Sequence, residues 1–153
     1  MQKILVSACL YGGKAVRYDA NDTTETDPRF LKWKNEGRLI SICPEVFAGL
    51  PIPRPASERA GDKVLTGAGT DVTREYQAGA KEALRLAVDN QVAFAIMKLN
   101  SPSCGSKLIY DGTFTNTKVS GQGLAVEYLR NAGFTVLSEE DLGEAEKLLG
   151  TNP

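Results

Sequence analysis

Four short apolar runs, KILVS (Lys3 to Ser7), LISI (Leu39 to Ile42), VAFAIM (Val92 to Met97) and FTVL (Phe134 to Leu137), punctuate the chain, with helix-patterned segments between them. Each run is too short for a buried helix and nearly free of the polar alternation of a strand with one wet face. Each therefore predicts a strand covered on both sides. Parallel strands need a long crossover, usually a helix. The order β-α-β-loop-α-β-loop-α-β-α thus predicts an α/β fold: a single-domain, doubly wound (Rossmann-like), mostly parallel sheet of about four strands with helices on both faces. The 153 residues suit one domain spanning residues 1–153.

The first crossover opens at Asp27-Pro28, a pattern that starts helices. The segment from Arg29 to Glu36 spaces Phe30, Leu31 and Trp33 like one helix face, and Gly37 is placed to end it. Cys43 to Asp71 carries Pro44, Pro51, Pro53 and Pro55 and reads as a long loop, with a small hairpin expected at Lys63 to Thr73. Asp71 or Thr73 is placed to cap a helix reaching about Asn90, with Ala80, Leu84, Ala87 and Val88 at helical spacing. After the third strand come a loop with an Asp111-Gly112 turn signal and a helix from about Leu124 to Asn131. A terminal helix from Glu139 to Leu148 follows, with Ser138 as its cap.

Composition removes several functions. Lys plus Arg total 18 against 19 Asp plus Glu, a net charge of −1, so no overall basic surface invites a phosphate backbone. No apolar run approaches the roughly 18 residues of a membrane helix. The N-terminus reads as a buried strand rather than a signal peptide, so the expected location is the cytoplasm. There is no histidine. That rules out Ser–His and Cys–His nucleophilic pairs, HExxH zinc sites and histidine proton shuttles.

Three cysteines are an odd number, and none lies in a CxxC pair, which argues against a disulfide framework. Cys9 follows the first strand, Cys43 the second and Cys104 the third. In a parallel sheet these strand ends share the carboxyl edge, where doubly wound folds bind ligands. A lone cysteine is usually a small buried hydrophobe. Three at one edge point instead to a metal centre. Soft thiolates select zinc, copper(I) or iron–sulfur clusters. A closed structural zinc site lacks its fourth ligand here, while zinc with three thiolates and a water stays open. A 4Fe–4S cluster on three cysteines would leave one iron without a protein ligand, free for a soft substrate atom, although the spacing matches no standard ferredoxin run.

The segments SACLYGGKAVRYD (Ser7 to Asp19), CPEVFAGLPIPRPASE (Cys43 to Glu58), AIMKLNSPSCG (Ala95 to Gly105), YDGTF (Tyr110 to Phe114) and SGQGLAVEYLRNAGF (Ser120 to Phe134) resemble, in order and as a set, the small bacterial family of thiouracil desulfurases. The resemblance implies a 4Fe–4S cluster held by Cys9, Cys43 and Cys104. It also implies an enzyme that removes sulfur from a thiolated pyrimidine (2-thiouracil or a related thiouracil or thiouridine nucleotide). The products would be the oxo-pyrimidine and sulfide, without net redox change.

Within that frame Glu45, two residues after Cys43, is the first choice of general base for the attacking water. The bland alternative is a carboxylate capping nearby amides. Ser101 opens SPSCG and would hold the water or the substrate ring, or else bond its own turn backbone. Gly12 and Gly13, with Lys14 and Arg17, read either as an anion nest or as a plain loop. Gly121-Gln-Gly123 reads as a phosphate cradle or a helix-start loop. Arg54, between two prolines, either reaches the site or makes a surface ion pair. The expected partners are a small thiolated pyrimidine and a sulfide or sulfur acceptor, with neither membrane nor nucleic acid beyond a thiolated RNA substrate. Two other functions compete: a non-catalytic iron–sulfur sensor, and a metal-free carrier passing a persulfide from one cysteine.

Overall fold

In the computed structural model, which describes residues 1–150, β1 (Ile4–Ser7) is the hub of a parallel sheet. On one side it pairs with β2 (Leu39–Ile42), Ile4 facing Leu39. On the other it pairs with β5 (Phe94–Ile96), Ile4 facing Phe94. Strand β8 (Val136–Leu137) joins outside β5, with Ala95 facing Val136, giving the order β2-β1-β5-β8. The chain therefore moves one way from β1 to β2, then jumps back across β1 to β5. This reversal is the topological switch point at which such sheets open a crevice.

Side chains alternate across the sheet as the pleat requires. Ile4, Val6, Phe94 and Ile96 pack with Phe30, Trp33 and Leu142 from α2 (Pro28–Asn35) and α6 (Leu142–Gly150). Leu5, Ala95 and Met97 pack on the other face with Tyr76, Ala80 and Leu129 from α4 (Thr73–Asp89) and α5 (Leu124–Asn131). The predicted doubly wound α/β architecture is the one observed.

Several local expectations change. Leu31 is exposed while Phe30 and Trp33 are buried, because Leu31 lies about 100° around the helix from Phe30. Val88 is likewise exposed. The buried stripe of α4 is Tyr76, Gly79, Ala80, Ala83 and Ala87, at i, i+3, i+4, i+7 and i+11. The hairpin expected at Lys63 to Thr73 lies earlier, pairing β3 (Ser57–Ala60) with β4 (Lys63–Thr66) around Gly61, whose φ is +62°. Its first strand, SERA, carries one buried side chain, Glu58, and so lacks an apolar signature. A second hairpin, β6 (Leu108–Tyr110) with β7 (Lys118–Ser120), lies in the segment read as loop. The terminal helix begins at Leu142 rather than Glu139. Ser138 Oγ accepts the Glu140 N–H, and the Asp141 carboxylate accepts from both the N–H and the hydroxyl of Ser138, so residues 138–141 form a stapled turn before the helix. No helix among the described residues is long and apolar enough to cross a membrane.

Candidate active site

All three cysteines sit beyond carboxyl ends of neighbouring strands. Cys9 lies in α1 (Ala8–Tyr11), a single turn directly after β1. Cys43 separates β2 from α3 (Pro44–Phe47). Cys104 lies in the turn that follows β5, and Gly105 N–H closes that turn onto the Ser101 carbonyl at 2.9 Å. None is in a disulfide. Together with Glu45, Arg54 and Ser101 they line one cavity of about 410 Å³ at the switch point.

The supports of this loop cluster are specific. The first amides of α5 donate to the cysteine loop, Leu124 N–H to Pro102 O at 2.8 Å and Ala125 N–H to Ser103 O at 3.0 Å. Gly123 lets that helix approach: a Cβ there would stand 2.3 Å from the Ser103 carbonyl carbon. Its N–H bonds Gly105 O, and Gly121 N–H bonds Lys107 O. The phosphate-cradle reading of Gly121-Gln-Gly123 is thereby corrected, because both amides are already used in packing the loop. Gly12 has φ +82° and passes Thr24 so closely that a Cβ would be 2.4 Å from its Oγ1, so its role is structural.

Burial dominates the thiols. It pushes Cys9 up to about 11, with Cys43 adding to the rise and the Thr23 hydroxyl opposing it. Burial also raises Cys43. Backbone amides of Val46 and Glu45 and the Arg54 guanidinium pull the other way. Cys104, the most enclosed, is raised furthest by burial, and the Ser7 hydroxyl opposes that rise. Ser7 is itself buried. Its Oγ accepts the Lys98 N–H at 2.8 Å and lies 3.8 Å from Met97 Sδ. Cys43 raises Cys9, and both raise Cys104, as neighbours within electrostatic reach do. Thiols held protonated by burial deprotonate when a metal supplies the missing positive charge. Among the described residues no three His, Cys, Asp or Glu side chains gather round a single ion. The donor set is instead three thiols around a shared space. Soft thiolate donors of this kind select zinc, copper(I) or an iron–sulfur cluster.

Arg54 reaches the site. Its side chain is 5% exposed and is anchored by Nη1 on Pro51 O and Nη2 on Val16 O, with Nε and Nη2 both on Glu45 Oε2. The Tyr76 hydroxyl reaches Glu45 and Ser57, and burial and the Glu45 charge hold that phenol protonated, well above its ordinary value. Glu45 is thus clamped by side chains instead of capping amides. Ser101 Oγ accepts two backbone N–H groups, from Ser103 at 3.0 Å and Cys104 at 3.1 Å. It shapes the cysteine turn while its own O–H stays available as a donor. Sequence reasoning missed Tyr76, whose helical spacing marks it only as core. It also missed Ser7, a strand-end serine with no signature of its own.

Residues 4–141 match the 2-thiouracil desulfurase family. The chain belongs to that family. A solved structure described as a [4Fe-4S]-dependent thiouracil desulfidase, TudS, is 42% identical and superposes with a TM-score of 0.96 over 99% of both chains. The Bacillus subtilis (strain 168) protein YbbK, described as uncharacterized, is 37% identical over 151 residues, 92% of this chain and 98% of its own. The whole sheet and the loops carrying the cysteines fall inside the segment matched to the desulfurase family.

Proposed function

We propose that Cys9, Cys43 and Cys104 hold a 4Fe–4S cluster with one iron free of protein ligands, and that the chain desulfurates a thiolated pyrimidine. The convergence of three unpaired thiols on one cavity, Cys104 buried and Cys9 and Cys43 half-buried, carries this reading. Desulfurase family membership and the likeness to a [4Fe-4S]-dependent desulfidase support it. In the net reaction the thiocarbonyl sulfur leaves as sulfide, free or passed to an acceptor, and a water oxygen takes its place on the ring carbon, with no net electron transfer. When bound, the cluster supplies a soft Lewis-acidic iron for that sulfur.

The chain's own residues do the rest. The Arg54 fork fixes Glu45 by one oxygen, Oε2, so that the carboxylate can take a proton from water at the cavity. Ser101 holds the Cys104 turn and offers its O–H to water or the ring. Three cysteines kept as cluster ligands rather than paired in disulfides call for a reducing compartment, so this reading places the protein in the cytoplasm. The persulfide carrier is disfavoured, because such a nucleophile needs a lowered thiol pKa and access, and all three are raised and at least half-buried.

Iron and acid-labile sulfide analysis of anaerobically purified protein tests the assignment, together with turnover of 2-thiouracil and 4-thiouracil. Four irons per chain are expected. Cys9→Ala, Cys43→Ala and Cys104→Ala should each lose colour and activity while far-UV circular dichroism is kept. Full iron and full turnover in any one of them would overturn the ligand set. Undiminished activity in metal-free, air-treated protein would restore the carrier.

A further inference from the structure

Five non-glycine residues among those described adopt a left-handed backbone: Ala20, Gln91, Asn100, Phe114 and Asn116. Three of them, Asn100 (φ +68°), Phe114 (φ +58°) and Asn116 (φ +60°), line the cavity that holds the cysteines. Asparagine tolerates this conformation, but a bulky phenylalanine there is a true outlier. Strain of this kind collects where a surrounding structure enforces it for function.

The enforcement at Phe114 is visible. Glu58, 8% exposed, accepts the N–H of Gly112 at 3.0 Å and of Phe114 at 3.2 Å. Asp111 N–H closes the turn onto Thr117 O at 3.0 Å, and the hydroxyls of Thr113, Thr115 and Thr117 form a chain across it. Gly112 rests on Ala60 of the first hairpin so tightly that a Cβ would lie 2.7 Å from the Ala60 Cβ. The ring of Phe114 passes Gly67 and remains 39% exposed. Neither burial nor backbone preference rewards phenylalanine at this position. An aromatic face left open at a cavity wall is a surface on which a flat ring can stack.

The two asparagines point the same way. Neither side-chain amide has a hydrogen-bond partner among the described residues, although both residues line a cavity. A carboxamide presents a donor beside an acceptor. The edge of a pyrimidine lactam, with N–H beside C=O, is its complement, and an aromatic ring covers a base face whatever its substituents.

We infer that Phe114, Asn100 and Asn116 form the recognition set for the pyrimidine ring, Phe114 stacking on its face and the asparagine amides reading its N–H and C=O edge. The inference rests on the proposed desulfurase function and adds the residues that choose the ring.

Uracil is the probe, because it lacks sulfur and its affinity reports the chain's own contacts. Its binding to anaerobic holoenzyme is measured by calorimetry, alongside KM and kcat per cluster for 4-thiouracil and the melting temperature. Phe114→Gly keeps the left-handed backbone without strain and deletes the ring. Uracil affinity should fall and KM rise by about 5- to 150-fold, the range of one base–aromatic stack. Turnover per cluster should stay within about twofold, as for loss of uniform binding. The melting temperature should hold or rise, which loss of a merely structural residue would not produce. Phe114→Tyr should restore binding. Asn100→Gly and Asn116→Gly also keep the backbone and should weaken uracil. Wild-type turnover with unchanged uracil affinity in all three glycine variants overturns the recognition set alone. Wild-type holoenzyme that neither binds uracil nor turns over any thiouracil overturns the function and the recognition set together.

Discussion

Arg54 sets two nitrogens on a single oxygen of Glu45, Nε at 2.9 Å and Nη2 at 2.6 Å, and both side chains are almost wholly withdrawn from solvent. A guanidinium makes such a fork and an ammonium cannot. Arg54→Met leaves a buried carboxylate uncompensated and should cost about 3–5 kcal/mol of stability, read by denaturant titration. Arg54→Lys keeps the charge and should fold, but with Glu45 loosened and turnover reduced.

Glu45→Gln separates ionisation from shape. If the carboxylate moves the proton of the attacking water, turnover normalised to cluster content should fall by about 10²–10⁴-fold with substrate affinity kept. A rate within about twofold of wild type would remove Glu45 from the mechanism and leave it as the partner of Arg54.

Gly79 on α4 faces α3, the short helix that follows Cys43. A Cβ at Gly79 would lie 2.3 Å from the Pro44 carbonyl oxygen. Alanine gains about 1 kcal/mol of helix propensity, but a backbone atom at that distance must move, at about 1–3 kcal/mol. Overpacking wins. Gly79→Ala should melt lower and, because Pro44 adjoins Cys43, bind less iron per chain. A variant that melts higher than wild type would show that α3 yields freely.

Ser7 stands behind Cys104 with its oxygen already accepting the Lys98 N–H, so its proton faces sulfur. A thiolate accepts that proton better than the Met97 thioether. In Ser7→Ala the loss of a hydrogen bond to a charged group, about 1.5 kcal/mol or more, should speed iron release to a chelator roughly tenfold. Ser7→Thr should restore the wild-type rate. Unchanged release in Ser7→Ala would exclude the contact.

Asp141 carries the acid sensitivity of the last turn. Burial pushes its carboxyl up, but Lys107 and the Ser138 N–H and hydroxyl outweigh burial and hold it below its ordinary value. The folded state therefore favours the ionised form. That stability is fully present above the unfolded carboxylate value of about 3.9 and is lost as pH falls through the lower folded value. Asp141→Asn should be less stable by about 1–2 kcal/mol at pH 7, and the gap should close below about pH 4. A gap independent of pH would mean that shape, not charge, holds the turn.

Apolar patterning and chain connectivity were enough to foresee the sheet and the meeting of the cysteines. The central strands β1 and β5 are buried on both faces while the edge strands β2 and β8 are only partly covered, and a parallel sheet sends every strand end to one edge, so Cys9, Cys43 and Cys104 converge through connectivity alone. Helix starts written in local chemistry were legible too: the Asp27 carboxylate takes the Arg29 N–H at the start of α2, with Pro28 first in the helix. Other contacts arise only when distant segments pack together. The pairing of Glu45 with Arg54 joins a short helix to a proline-rich loop, and no periodicity records such a contact. The first hairpin lies a few residues earlier than the sequence predicts and the second falls in a segment that reads as loop, because one strand of each, SERA and KVS, is short and polar, and Glu58 and the turns help to hold them. The left-handed backbones of Asn100, Phe114 and Asn116 carry no sequence signal, since glycine would be the residue read there; three-dimensional packing enforces them.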